Sequence, residues 1–360
     1  MILRLLRLTA FLAFTTIIVE SMSPFVRRRF KEKPKHPVIL IPGDGGSQLE
    51  ANLTGKPSVV HYICSKQTAD YFDLWLNLEL FTPLVIDCWV DNMMLVFNST
   101  TGLSSNMPGV DIRVPGFGGT SSIEWLDKSK DYFGTGKTVF AFLLMNSASD
   151  ELHLYFDLLK VTIESTYRWH GNKKVITLGH SMGNPMMLYF YNKIVNQDWK
   201  DKYIESHVSL AAPWGGAMQI VRLFASGYNM NYYRLANVEE FFQDIKYPLG
   251  WDQYRVAAQM NGNLDPPGVK VHCIYGTGLD TPEKFYWAKG YFPDYPPSIV
   301  YGDGDGTVNR RSAEVCLRWN ESNNVGKRVT THEIPGAEHM AIMQNPAAIE
   351  LVRKAIYGLL

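Results

Sequence analysis

The 360-residue chain has no net charge, because 35 basic and 35 acidic residues cancel. A nucleic-acid partner calls for a basic surplus or stripe, so none is expected. Cysteine is scarce. Only Cys64, Cys88, Cys273 and Cys316 are present, with no C-x-x-C spacing. That argues against a zinc or dithiol site, and no metal or cofactor is expected. Internal repeats and low-complexity tracts are missing as well. Charged residues make up 19% and hydrophobic ones 46%, which suits a chain with a sizeable core rather than a disordered one.

At the N-terminus, Arg4 and Arg7 precede the apolar run Leu8 to Val19, with small residues around Ser21 to Ser23. This is the layout of a secretory signal, expected over 1–23 and followed by a basic, proline-punctuated linker over 24–36. An uncleaved anchor is the alternative, and Arg27-Arg28-Arg29 would suit it. The run is short of the about 20 residues of a span, which favours cleavage. Sequons at Asn52, Asn98 and Asn320 agree with a lumenal or extracellular surface.

From residue 37 onward, apolar runs of strand length alternate with helical patterns. The runs are Pro37 to Ile41, Val139 to Met145, Val175 to Leu178, His207 to Ala211, Val269 to Tyr275, Ser298 to Tyr301 and Arg328 to Ile334. Leu152, Tyr155, Phe156, Leu159 and Ile163 recur at helical spacing. Near the C-terminus Asn345 caps a helix opened by Pro346. Such alternation predicts an α/β fold with a mostly parallel sheet covered on both faces.

Within that pattern, Gly179-His180-Ser181-Met182-Gly183 follows the apolar run Val175-Ile176-Thr177-Leu178. It reads as a nucleophile elbow, a strand-to-helix turn that lifts one serine hydroxyl clear of the sheet. Pro185 suits a helix starting at Met182, since a first-turn proline loses no hydrogen bond. Two other motifs are decoys. Gly134-Thr135-Gly136-Lys137-Thr138 lacks the leading glycine of a phosphate loop, and Asp303-Gly304-Asp305-Gly306 lacks the remaining calcium ligands.

A serine nucleophile needs a base and an orienting acid, which follow it in the order acid, then histidine, on this kind of sheet. His272 and His332 fall within strand patterns. His339 follows the turn-rich Pro335-Gly336-Ala337-Glu338 and is the favoured base. Asp303 and Asp305 compete as the acid; Asp305 is favoured because it directly precedes Gly306-Thr307-Val308. Backbone amides of Met182 and of Asp44, after Ile41-Pro42-Gly43, are the candidate oxyanion donors.

Longer segments carry a family likeness. Ile41-Pro42-Gly43-Asp44-Gly45-Gly46-Ser47-Gln48-Leu49-Glu50, His61-Tyr62-Ile63-Cys64, Trp75-Leu76-Asn77-Leu78-Glu79, Ala212-Pro213-Trp214-Gly215-Gly216 and Cys273-Ile274-Tyr275-Gly276-Thr277-Gly278 accompany the elbow and the late Asp and His motifs. Together they resemble the lecithin–cholesterol acyltransferase family, most closely its phospholipase A2 branch. The resemblance implies an α/β-hydrolase fold over 37–360, with Ser181, Asp305 and His339 as triad and Asp44 and Met182 as oxyanion donors. It implies disulfides Cys64–Cys88 and Cys273–Cys316, the first closing a small membrane-binding subdomain over 60–97. Phe72, Trp75, Leu76, Leu80 and Phe81 are the lipid contacts expected there.

The implied activity is phospholipase A and O-acyl transfer, from a glycerophospholipid to water or to a lipophilic alcohol such as ceramide. It implies work at phospholipid membranes or lipoprotein-like surfaces, by a monomer in the lysosome or outside the cell. Two segments depart from the family pattern. The run 134–150 is short and unrelated, and the lid over 217–250 is truncated. A catalytically impaired lipid-binding paralogue, an incomplete isoform and a general carboxylic-ester lipase are therefore the alternative readings.

Overall fold

The computed structural model describes residues 35–75, 77–119, 139–141, 149–220, 243, 249–292, 295–321 and 328–360. The expected signal segment, most of the linker, most of the run 134–150 and most of the lid lie outside them. Strand β1 (Val38–Ile41) is followed by an excursion holding β2 (Leu49–Leu53), β3 (Phe72–Trp75), β4 (Leu95–Asn98), β5 (Leu103–Asn106) and β6 (Val110–Arg113). Next come β7 (Val139–Ala141), β8 (Val175–His180), β9 (Ile204–Leu210) and β10 (Val271–Thr277). The last three strands are β11 (Leu279–Tyr286), β12 (Ser298–Gly304) and β13 (Val329–Pro335).

Six of these form the central sheet, in the order β13-β10-β9-β8-β1-β7, and every neighbouring pair is parallel. All six carboxyl ends therefore meet at one edge. Both faces are covered, so β8 and β10 are buried at every position. Ile39, Ile41 and Val175 pack on one face with Tyr155, Phe156, Leu159 and Ile163 of the helix Ser149–Trp169. Val38, Ile176 and Leu178 pack on the other with Val352 and Ile356 of the C-terminal helix Pro346–Ile356. Asn345 caps that helix by accepting from the Ala347 amide at 2.9 Å.

The excursion after β1 builds its own small body. Strands β3-β2-β6 form an antiparallel sheet and β4-β5 a hairpin, over a cluster that includes Leu49, Ala51, Leu53, Leu74 and Ile112. Such a core is too small to hold alone. It is fastened by the Cys64–Cys88 disulfide and by buried Lys56, which donates to Asp91 at 2.6 Å and to Asn92 at 2.7 Å. A second disulfide joins Cys273 of β10 to Cys316.

The run Ser298 to Tyr301 differs from the expectation of another buried strand. It belongs to β12, which pairs antiparallel with β11 in a two-stranded ribbon outside the central sheet. Only Gly278 separates β10 from β11. A parallel crossover needs a dozen or more residues, so the chain can only run outward and return.

Candidate active site

Strand β8 ends at His180, and Ser181 adopts φ +49°, a left-handed conformation that L-residues adopt rarely. The strain is held by the close approach of neighbouring backbone. A Cβ on Gly183 would lie 2.5 Å from the Pro42 carbonyl oxygen and 2.6 Å from that of Ile41. One on Gly179 would collide with Asn184 Oδ1. The helix Gly183–Tyr189 starts immediately after Met182, with Pro185 in its first turn.

Ser181 Oγ lies 2.9 Å from His339 Nε2, and His339 Nδ1 lies 2.8 Å from Asp305 Oδ2. Both partners are buried, His339 at 5% and Asp305 at 2% exposure, so the pair is shielded from competing water. The other carboxylate oxygen of Asp305 accepts from the Thr307 amide at 2.9 Å and the Val308 amide at 2.6 Å. A carboxylate held at both oxygens directs imidazole Nδ1–H toward itself and leaves Nε2 as the acceptor for the serine proton. The two supporting loops touch directly, since the His339 amide donates to the Asp305 carbonyl at 3.0 Å. Glu338 fixes the turn after the base by accepting from the Met340 and Ala341 amides.

Asp303, the competing acid, points elsewhere. It accepts from the Gly278 amide at 2.6 Å and pairs with Arg310 at 3.3 Å. His272 and His332 are strand residues of the central sheet, apart from Ser181, and burial lowers the pKa of each.

Behind the elbow lies a buried polar chain that sequence reasoning missed. Asn184 Nδ2 donates to the Ser181 carbonyl at 3.0 Å and to the Leu210 carbonyl at 3.2 Å. Its Oδ1 accepts from His207 Nε2 at 3.1 Å, and His207 Nδ1 accepts from Thr177 Oγ1 at 2.8 Å. Tyr191 completes the chain by donating to Thr177 at 2.7 Å. Burial pushes the His207 pKa down to about 3, which keeps this ring neutral. His180 was also overlooked. Its Nε2–H donates to the His339 carbonyl at 3.0 Å, and burial lowers its pKa. Asn184, three residues past the nucleophile, offered a faint sequence signal; nothing marked His207.

The Gly43–Gly46 loop runs past the serine. A Cβ on Gly43 would fall 2.7 Å from Ser181 Cβ, so only glycine lets this backbone approach. Trp75 pins the loop by donating its indole N–H to the Gly45 carbonyl at 2.8 Å. Trp75 was expected at a lipid surface; here, with Phe72 and Leu80, it is half-buried against the excursion's own core. Leu76 and the Phe81 side chain lie outside the described residues. Among the described residues, the exposed apolar side chains of segment 60–97 include Tyr62 at 89% and Leu84 at 53%.

Of the sequon residues, Asn98 is exposed and Asn320 is tied to the backbone of Val329. Asn52 is partly buried beside Thr68. Among the described residues, no group of three His, Cys, Asp or Glu side chains could hold a metal ion.

Comparison with known proteins bears on what this geometry serves. The sequence model described as "Lecithin:cholesterol acyltransferase" matches residues 71–146, 144–245 and 251–346. The chain belongs to the lecithin:cholesterol acyltransferase family. Among this family's members it is 39% identical over 380 residues to "Lysosomal phospholipase A and acyltransferase" of Homo sapiens, covering 89% of this chain and 90% of the relative. It is 36% identical over 361 residues to "Phosphatidylcholine-sterol acyltransferase" of Gallus gallus, covering 84% and 86%. The family assignment and the parallel sheet with helices on both faces agree on an α/β-hydrolase fold.

Proposed function

We propose that this chain is a serine-dependent phospholipase A and O-acyltransferase. The hydrogen-bonded line Ser181–His339–Asp305 carries the reading, and membership of a family whose relatives are named for both activities supports it. His339 Nε2 takes the Ser181 proton as Oγ attacks the acyl carbonyl of a glycerophospholipid. Asp305 holds the imidazole in the useful tautomer and stabilises the imidazolium. The backbone N–H groups of Asp44 and Met182 receive the oxyanion, a term worth about 3 kcal/mol per donor. Close passage of Gly43 beside Ser181 supports that role for the loop.

Collapse of the tetrahedral intermediate breaks the ester C–O bond, and His339 returns its proton to the departing lysophospholipid oxygen. The acyl group then sits on Ser181. Water or a lipophilic alcohol, deprotonated by His339, attacks this ester; the bond to Ser181 Oγ breaks, His339 returns the proton to that oxygen, and a fatty acid or an acylated alcohol leaves. Exposed apolar side chains of the 60–97 subdomain, Val60, Tyr62, Ile63, Leu84 and Val90, would rest on the lipid surface. The N-terminal signal pattern, the sequons and two disulfides support a place in the secretory pathway, in the lysosome or outside the cell. No helix among the described residues is long and apolar enough to cross a membrane.

Covalent labelling with a fluorophosphonate, run beside fatty-acid release from phosphatidylcholine vesicles, tests the assignment. The unaltered chain should label and release fatty acid, whereas Ser181→Ala should do neither. An unaltered chain that never labels, or labelling that survives Ser181→Ala, would overturn it.

A further inference from the structure

The ribbon β11–β12 is unexplained by the chemistry above. Its root is at the site: β10 ends at the carboxyl edge of the sheet, Gly278 leads into β11, and β12 runs back directly into Asp305. Eight residues of β11 at about 3.4 Å each carry the tip roughly 25 Å outward. The ribbon is thus rooted at the same edge of the sheet as Ser181.

The tip is aromatic, and it is not buried. Within ten residues, Tyr286, Tyr291 and Tyr295 are 58%, 51% and 57% exposed. It is also built rather than slack. Tyr291 and Tyr295 pack at 4.8 Å between ring centroids, Trp287 meets Phe292 edge-on at 5.7 Å, and the Trp287 N–H donates to the Tyr295 carbonyl at 2.7 Å. Between Tyr286 and Ser298 the sequence has only two charges, Lys289 and Asp294. Single exposed tyrosines are ordinary surface. Three on one braced tip are a surface with a purpose.

We propose that the β11–β12 tip is a second lipid-contacting element, seated at headgroup depth of a phospholipid bilayer while Ser181 works. The inference rests on the phospholipase reading and goes beyond the 60–97 subdomain. Tyrosine and tryptophan suit the boundary layer, with the ring against acyl chains and the hydroxyl or N–H among headgroups. Exposed Lys289 adds attraction to anionic headgroups. Position selects a bilayer over other partners. The subdomain after β1, this ribbon after β10 and the turn after β13, where Met340 is 55% exposed, all leave the same edge with apolar side chains uncovered.

Two measurements test the proposal. Tyr291→Cys in a Ser181→Ala background, labelled with an environment-sensitive fluorophore, is mixed with vesicles of phosphatidylcholine and phosphatidylglycerol. The label should shift to the blue and be quenched by nitroxide-bearing lipid. Co-sedimentation without a shift, no binding at all, or a shift with soluble oligosaccharide instead of vesicles would each overturn the proposal. Separately, the triple variant Tyr286→Ser, Tyr291→Ser, Tyr295→Ser should lose about tenfold or more in vesicle partition at an unchanged melting temperature. Tryptophan at the same three positions should restore binding; serine variants that bind as well as the unaltered chain would sink the idea. Because binding is read without turnover, a chain that binds through the tip yet releases no fatty acid would refute the phospholipase reading alone.

Discussion

The shelf that carries Ser181, Asp305 and His339 and the small excursion between β1 and β7 are held together in opposite ways. On the shelf, backbone does the holding. Glycines let strands and loops approach within contact distance, and buried amides fix the acid. Beneath it lies a two-sided core large enough to enforce a strained serine. In the excursion the core is one small cluster, so a disulfide and a buried ion pair take over. Geometry is enforced where a large core lies below; where little core exists, staples keep a surface in place while its apolar side chains stay uncovered.

The sharpest break of this contrast is expected on the shelf. Asp305→Asn should lower kcat by about 10⁴-fold with little change in melting temperature, because the amide favours the wrong imidazole tautomer. Asp303→Asn, two residues away, should stay near the unaltered rate, since it removes one exposed partner of Arg310. Steady-state release of fatty acid from vesicles measures both. The reverse pattern would move the acid to Asp303.

In the excursion, loss should appear as stability instead of rate. Lys56→Met leaves Asp91 buried without its cation and should cost about 3–5 kcal/mol. Lys56→Met with Asp91→Leu should recover much of it. Replacing Cys64 and Cys88 by serine should cost about 3 kcal/mol through the freed loop. Limited proteolysis inside 42–119, run beside hydrolysis of a small soluble ester, separates the two regions. Cutting should rise steeply while soluble-ester turnover changes far less. A parallel collapse of both would mean that Trp75, through Gly45, couples the excursion to the serine more tightly than one hydrogen bond suggests.

The same contrast explains what could be read from the sequence. The elbow is legible because its constraints are local: two glycines, a serine and Pro185 within seven residues all answer to one turn. Asp305 and His339 are legible as polar residues in glycine-rich turns after apolar runs. In the excursion the strands are four or five residues long, and β2 finds its partner β6 dozens of residues away, so no local period marks them. Strand β11 was hidden by its composition, with Asp280, Pro282, Glu283 and Lys284 in one stretch. The pairing register shifts between Pro282 and Lys284, which lets the ribbon absorb a residue that cannot donate to a ladder. The hydrogen bond of Trp75 to Gly45 was illegible for a related reason. Nothing near Trp75 in the sequence marks a carbonyl thirty positions back as the partner of its N–H.

The smallest expected effect is a pH dependence confined to the shelf. Burial, reinforced by electrostatic repulsion from His272, pushes the His207 pKa down to about 3. Unfolded, the same ring titrates at about 6.5. Below that value the unfolded chain binds a proton that the folded chain refuses, so stability falls as pH drops. From about pH 6.5 to 5 the loss from His207 should be about 2 kcal/mol, and it continues until the folded ring titrates near 3. His272, pushed to about 4 by burial and Lys270, adds a smaller loss of the same sign. The excursion holds none of the histidines that burial shifts, so its own opening should not follow this slope. Urea unfolding across the acidic range tests the point with His207→Gln, whose amide can still accept from Thr177 and donate to Asn184. The variant should lose close to one proton from the slope of stability against pH. An unchanged slope would mean that the ring behind the elbow takes up its proton while folded, and that Asn184 steadies Ser181 beside a cation.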